Sequence, residues 1–394
     1  MVNTRLILDK IAYSVVKHLE YLDHLDCGLL GGNLGEIIFL YQYSSLCSNY
    51  EILADKMIEK LFESLRNNKY MYTYCNGLAG LGVGLKFLEQ QQKLQYVNNV
   101  MPELDRSIVY CLAWDLQNHN QDFLHGYTGA GFYFLMRYQD NPMVAKRQLL
   151  KIINTLMGSA IWSVDGCVRW VSITNRSNSN ISLSHGMSSI NLFLSKVIEL
   201  NIFPTLNERL LQLLKAAVQY ILSQRIDVHK YGSFFPTFCR DNDYIISKSR
   251  LAWCYGDLGV CYSLFKVGDV LKDSSIQKLA LDMLCYNAEN RRDFRDNMVV
   301  DAEFCHGTTG VATIYQMLYR CAGEKKFLDA YGYWKDITLA IGRNNEDGLF
   351  DTYSVRDQCW ERFYSILEGL SGIGLFLLAA ITDNWDWTKL VVLD

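Results

Sequence analysis

Arg250-Leu-Ala-Trp-Cys-Tyr-Gly256-Asp-Leu-Gly259 decides the fold, because its last four residues are one of seven copies of a glycine signature. The other copies are Gly32-Asn-Leu-Gly35, Gly77-Leu-Ala-Gly80, Gly126-Tyr-Thr-Gly129, Gly186-Met-Ser-Ser189, Gly307-Thr-Thr-Gly310 and Gly369-Leu-Ser-Gly372, and only the fourth departs, with serine for glycine. Their first glycines stand 45, 49, 60, 70, 51 and 62 residues apart, a period typical of repeated supersecondary units. Apolar stretches such as Ile37-Ile-Phe-Leu40 and Ile373-Gly-Leu-Phe-Leu-Leu378 follow the signatures, so each reads as a short helix begun at glycine. Ahead of each signature lies an amphipathic stretch: 4–24, 49–68, 99–118, 141–158, 206–224, 275–291 and 325–342. In the fifth, Leu211, Leu214, Val218 and Ile221 fall at helical spacing while Glu208, Arg209, Gln212, Lys215 and Gln219 fill the other face. These stretches read as outer helices. Their glycine-rich partners, apolar nearly all round, read as inner helices packed on both sides near a common centre.

Seven outer–inner hairpins build either an open solenoid or a closed α/α toroid. Closure is the expectation, since a solenoid leaves one face of the inner helices wet. Four prolines in 394 residues suit an all-α body. Three connections, 159–184, 227–250 and 343–365, break the helical rhythm and lead into inner-helix starts. They carry strand-like pieces such as Cys167-Val-Arg-Trp-Val-Ser-Ile173 and Tyr244-Ile-Ile-Ser247. No low-complexity linker interrupts the chain, so residues 1–394 read as one domain, with room for a small insertion within 159–184.

A net charge of −4 excludes nucleic acid as the main partner, because phosphate binding needs a basic surface. Twelve cysteines are scattered without clustered spacing, and charge in Met1-Val-Asn-Thr-Arg-Leu-Ile-Leu-Asp9-Lys10 breaks any secretory apolar core. Free thiols in a reducing, cytoplasmic setting are therefore expected. No apolar run reaches the roughly 18 residues that a membrane span needs.

Chemistry gathers where the inner helices begin. Cys254 stands two residues before Gly256, and Cys305-His306 immediately precedes Gly307. Two thiolates and an imidazole are a zinc ligand set, and three protein ligands leave a fourth tetrahedral position open, the mark of a catalytic site. The wide separation of the three argues against a zinc finger, which uses paired clips. For Cys261, Cys285 or Cys321 the ordinary reading is an apolar buried thiol. His185 holds the pre-glycine position of the fourth repeat and suits an acid or base near neutral pH. Asp122, four residues before Gly126, suits orienting His185 or sharing its proton, with a capping role as the alternative. His125 is also pre-glycine, and the sequence leaves its use open between support and structure. Arg250 suits holding a developing oxyanion or pairing with a loop carboxylate, and Tyr255 points at the same mouth. An α/α-barrel glycosidase would use two carboxylates, such as Asp122 and Asp257, and would leave the Cys/His set unexplained.

Ser184-His-Gly186, Trp253-Cys-Tyr-Gly256 and Cys305-His-Gly307, in this order on a seven-fold glycine repeat, resemble the lanthionine synthetase cyclases of lantibiotic biosynthesis, the LanC family. The resemblance covers nearly the whole chain. It implies a double α-toroid with zinc held at its centre by Cys254, Cys305 and His306, with His185, Asp122 and Arg250 matching catalytic positions. Ser188-Ser189 in place of a small-Gly pair and the extra imidazole of His125 depart from the pattern. The implied reaction is addition of cysteine thiols of a precursor peptide to dehydroalanine or dehydrobutyrine, closing (methyl)lanthionine thioether rings. The implied partners are the dehydrated precursor, a dehydratase and an export transporter, at the inner face of the cell membrane. The alternatives are a LanC-like enzyme adding glutathione to dehydroamino acids, and a non-catalytic peptide-binding toroid with a structural zinc.

Overall fold

The computed structural model describes residues 2–67, 70–171, 178–239, 246–344, 347–354 and 357–394. Among the described residues fourteen α-helices alternate as the glycine repeat predicts, and a fifteenth is a single turn. The outer set comprises α1 (Val2–Tyr21), α3 (Asn49–Asn67), α5 (Met101–Asn118), α7 (Pro142–Ser159), α9 (Asn207–Ser223), α12 (Ser274–Asn290) and α14 (Lys325–Asn344). The inner set comprises α2 (Asn33–Tyr43), α4 (Leu78–Gln90), α6 (Tyr127–Arg137), α8 (Met187–Glu199), α11 (Asp257–Val270), α13 (Thr308–Ala322) and α15 (Leu370–Thr382), and α10 (Val228–Tyr231) is a single turn in a loop.

The chain divides into two compact units, Met1–Ile108 with Val299–Asp394, and Val109–Met298. In the first, the inner helices pack in the order α13, α15, α2, α4, so the seventh repeat lies against the first. In the second, α8 packs between α6 and α11. Five tight hairpins run from an inner helix to the outer helix that follows it, α2 to α3, α6 to α7, α8 to α9, α11 to α12 and α13 to α14. The sequence reading had paired each inner helix with the outer helix before it. The reason for the difference is loop length. Inner-to-outer connections are short, which makes antiparallel neighbours, whereas outer-to-inner connections carry the long functional loops.

Burial follows the patterning. On α9, Leu214, Val218 and Ile221 are buried and Leu211 is intermediate, while Glu208, Arg209, Gln212, Lys215 and Gln219 are largely in solvent. Every residue of α2 except Gln42 is buried, as is α13 from Thr308 to Leu318. Each fully buried Leu or Ile contributes roughly 1.5–3 kcal/mol, so the two-sided burial of inner helices dominates stability.

The glycines are explained by how the inner helices begin. The first N–H groups of a helix have no partner within it, and here the preceding loop folds under the helix to supply one. Tyr127, Met187, Thr308 and Leu370 donate their N–H to carbonyls seven residues back, on Asn120, Asn180, Asp301 and Phe363. That close passage leaves no space for a side chain: a Cβ on Gly310 would lie 1.8 Å from the carbonyl oxygen of Phe304. Gly256 adds a conformational demand, with φ at +102°. Ser189, the exception, turns its hydroxyl back to donate to the Gly186 carbonyl at 2.8 Å.

Among the described residues strands occur in two of the three long loops, as antiparallel hairpins: β1 (Ile161–Trp162) with β2 (Val168–Arg169), and β3 (Thr352–Ser354) with β4 (Cys359–Glu361). The expected strand from Cys167 is shorter than its apolar pattern, and Ser172 and Ile173 lie outside the described residues. Tyr244 and Ile245 of the second expected piece also lie outside them. All twelve cysteines are free thiols. Among the described residues no helix is long and apolar enough to cross a membrane.

Candidate metal centre and acid–base pair

Backbone hydrogen bonds between successive pre-glycine loops set the site. The carbonyl of Cys254 accepts the N–H groups of Leu183 (3.1 Å) and Ser184 (3.3 Å), which fixes the Cys254 loop beside the His185 loop. In the same way Phe304 and Cys305 donate to the Leu367 carbonyl at 3.0 and 2.8 Å, and Leu367 donates to Leu30 at 3.0 Å. The Cys254 loop is braced from below as well. Asp257, fully buried, accepts from the backbone N–H groups of Phe234 (2.8 Å) and Phe235 (2.9 Å) and pairs with buried Arg291 at 2.8 Å. Arg291 also donates to the Ser249 carbonyl and the Asn297 side chain. Burial pushes the Asp257 carboxyl up, and Arg291 and the two backbone donors draw it back. This carboxylate is therefore a brace, with no surface to offer a sugar.

Cys254 stands before α11 in the second unit and Cys305 and His306 stand before α13 in the first, and these three are a group that could hold a metal ion. The donor set fits a four-coordinate zinc: two thiolates and one imidazole are its usual ligands, and three protein ligands leave a fourth position open. Glu303, buried, accepts the backbone N–H of His306 at 3.1 Å and has an oxygen 2.6 Å from its Nδ1. Burial raises the Glu303 carboxyl to about 8, against the opposing pull of His306. A carboxylate behind a ligating imidazole is a common support of metal sites. Sequence reading missed it, although a charged residue in the run Ala302-Glu303-Phe304 was a signal.

His185 and Asp122 come together: Nδ1 of His185 lies 2.7 Å from Oδ2 of Asp122. Burial lowers the His185 pKa, but the hydrogen bond and charge of Asp122, with a further contribution from Cys254, carry it above the ordinary value. The other oxygen of Asp122 accepts the backbone N–H of His125 at 2.8 Å, so this carboxylate both orients His185 and ties a turn. The His185 ring centroid lies 5.8 Å from those of His125 and Tyr255. Asn180, which the sequence did not single out, donates to the Tyr255 hydroxyl at 3.3 Å. Arg250 is half-buried, and its side chain has no hydrogen-bonding or ionic partner among the described residues.

Glycine-started inner helices carrying two thiols and an imidazole at their N-terminal ends define a protein with a lanthionine-cyclase-type fold. A family model described as "Lanthionine synthetase C-like protein" matches residues 23–391, and the chain belongs to that family. Among solved structures it is similar to one named "Nisin cyclase", with a TM-score of 0.78 and 19% identity over 100% of this chain and 98% of that one. That likeness shows the fold, an α/α toroid, as the repeat led us to expect. Weaker likenesses, to a D-mannose isomerase (TM-score 0.42, 12% identity, 67% of this chain and 71% of that one) and a sugar epimerase from a ruminal bacterium (0.40, 11%, 89% and 87%), carry no argument. No curated protein matches the chain in a sequence search.

Proposed function

We propose that this protein is a zinc-dependent lanthionine synthetase, acting as one domain over residues 1–394. Its substrate is a precursor peptide dehydrated at Ser or Thr, and its product carries (methyl)lanthionine thioether rings. The observation that carries the reading is the Cys254/Cys305/His306 donor cluster, together with the His185–Asp122 pair whose backbone neighbours bond to Cys254. Zinc, when bound, supplies an open position at which a peptide thiol loses its proton near neutral pH.

The chain's own residues then do the following. Cys254, Cys305 and His306 would hold the ion, and the two protein thiolates would offset its charge. As sulfur attacks the β-carbon of the dehydroamino acid, charge develops as an enolate. Arg250, with its guanidinium unpaired by described residues, stabilises that charge. His185, whose protonated form Asp122 favours, delivers the proton to the α-carbon, and Tyr255 borders the same space. The dehydrated precursor, its dehydratase and an export transporter are the partners of this reading, met at the cytoplasmic face of the membrane.

The test uses zinc-loaded protein and a dehydrated peptide, with ring formation followed by mass spectrometry after thiol alkylation. Wild type should close rings, and His185→Ala should keep its zinc yet lose ordered ring formation. Unchanged cyclisation in that variant removes His185 from the mechanism.

A further inference from the structure

Thioether closure moves two protons, one off the peptide thiol and one onto the α-carbon, yet the proposed roles account for the second alone. A second imidazole stands at the site without a role. His125 is solvent-exposed, its ring centroid is 5.8 Å from that of His185 with planes 24° apart, and no hydrogen bond to its side chain is made by any described residue. Its placement is built. Asp122 Oδ1 accepts the His125 N–H at 2.8 Å while Oδ2 holds His185 Nδ1 at 2.7 Å, and Asn120 donates to the His125 carbonyl at 3.1 Å. One carboxylate thus fixes the backbone of one imidazole and the ring of the other.

The geometry points to His125 as a further catalytic residue, the base that takes the proton of the incoming peptide thiol. This rests on the cyclase reading above. The groups facing His125 support the division of labour. Partial desolvation and the nearby His185 favour its neutral form, against the pull of Asp122, while Asp122 favours the protonated form of His185. Neighbouring groups pushed to opposite protonation states are the usual arrangement of an acid and a base.

The steps balance. The S–H proton passes to an imidazole nitrogen of His125, leaving a thiolate and an imidazolium. The thiolate electron pair forms the C–S bond at the β-carbon, and the alkene pair becomes the enolate. Imidazolium of His185 gives its proton to the α-carbon. His125 then returns its proton to His185 through one water, because the ring spacing is too long for a direct hydrogen bond, and both imidazoles end as they began.

The experiment is single-turnover cyclisation of a peptide with one cysteine and one dehydroalanine, using zinc-loaded wild type, His125→Phe and His125→Gln. Phenylalanine keeps the ring stack without a nitrogen, and glutamine serves if the first variant does not fold. The expected result is a rate lowered about 10²-fold, unchanged zinc per chain and peptide affinity, and recovery of at least about tenfold in added imidazole, corrected for wild type in the same buffer. Rates within about threefold of wild type, or a loss that imidazole does not restore, overturn the assignment and leave the cyclase reading standing. A wild type that closes no rings overturns both.

Discussion

Asp257→Asn tests how the Cys254 loop is held. The substitution keeps the size of a fully buried side chain and removes its charge. Arg291, itself 4% exposed, then loses its 2.8 Å partner inside the protein. Breaking one side of a buried ion pair costs about 3–5 kcal/mol. An amide has one acceptor oxygen, so one of the two backbone donors at Phe234 and Phe235 is also orphaned, a cost of about 1–3 kcal/mol. These terms overlap, and the expected total is about 4 kcal/mol. Hydrogen exchange reads it locally: amides of Phe234 and Phe235, and of the segment around Cys254, should exchange about 10³-fold faster, at about 1.4 kcal/mol per decade. Adding Arg291→Met, which removes the stranded charge, should make the double variant at least about 1 kcal/mol less costly than the sum of the singles. Zinc affinity should fall roughly 10–100-fold, because the Ser249 carbonyl that Arg291 grips lies at the root of the Cys254 loop. A loss below about 0.5 kcal/mol, or strict additivity, would refute the brace.

Zinc titration of the wild type should saturate at one per chain and release about two protons when calorimetry is compared across buffers, since two thiols must ionise; Cys254→Ala should abolish stoichiometric binding. Asp122→Asn removes the charge that does most to raise the His185 pKa, so the basic limb of the cyclisation pH profile should move to lower pH, and an unmoved limb dissociates the pair from proton delivery. The same pair contributes stability that is fully present below the ordinary histidine value of about 6.5 and is lost as pH rises through the elevated folded value. Urea unfolding should therefore show a wild type–Asp122→Asn gap that narrows on the alkaline side. Gly310→Ala forces a Cβ to within 1.8 Å of the Phe304 carbonyl, so it should destabilise by about 2–3 kcal/mol in thermal melts and weaken metal binding through the neighbouring Cys305.

Helix positions were legible because apolar periodicity reports burial directly. The expected outer stretch 49–68 is α3, 49–67, and 325–342 is α14, 325–344. Hairpin pairing was misjudged because the glycine signature catches the eye at the long loop, while the short loop that makes the hairpin has no signature. Cys254, Cys305 and His306 were legible from equivalent repeat positions, as a group that could hold a metal ion. Asp257 was not legible: next to a signature glycine it read as a mouth carboxylate, and only coordinates show Arg291 coming from 34 residues away to bury it. Glu303 and Asn180 escaped for a similar reason, since a hydrogen bond across a loop leaves no period in the sequence.

The loops that present the chemistry are joined by main-chain atoms: Cys254 to Leu183 and Ser184, Leu367 to Phe304 and Cys305, Leu30 to Leu367, and Cys75 to Leu30 and Gly31. A peptide carbonyl is the same whatever side chain it belongs to. In these loops the residue just before the first glycine, namely Asn76, His185, Tyr255, His306 and Glu368, is thus free to change identity while its loop keeps its place; Gly31 is the exception, because a Cβ there would lie 2.2 Å from the Asn76 side chain. Such a scaffold lets new reactions be explored one substitution at a time, and it offers protein engineers five addressable positions on loops that main-chain bonds hold.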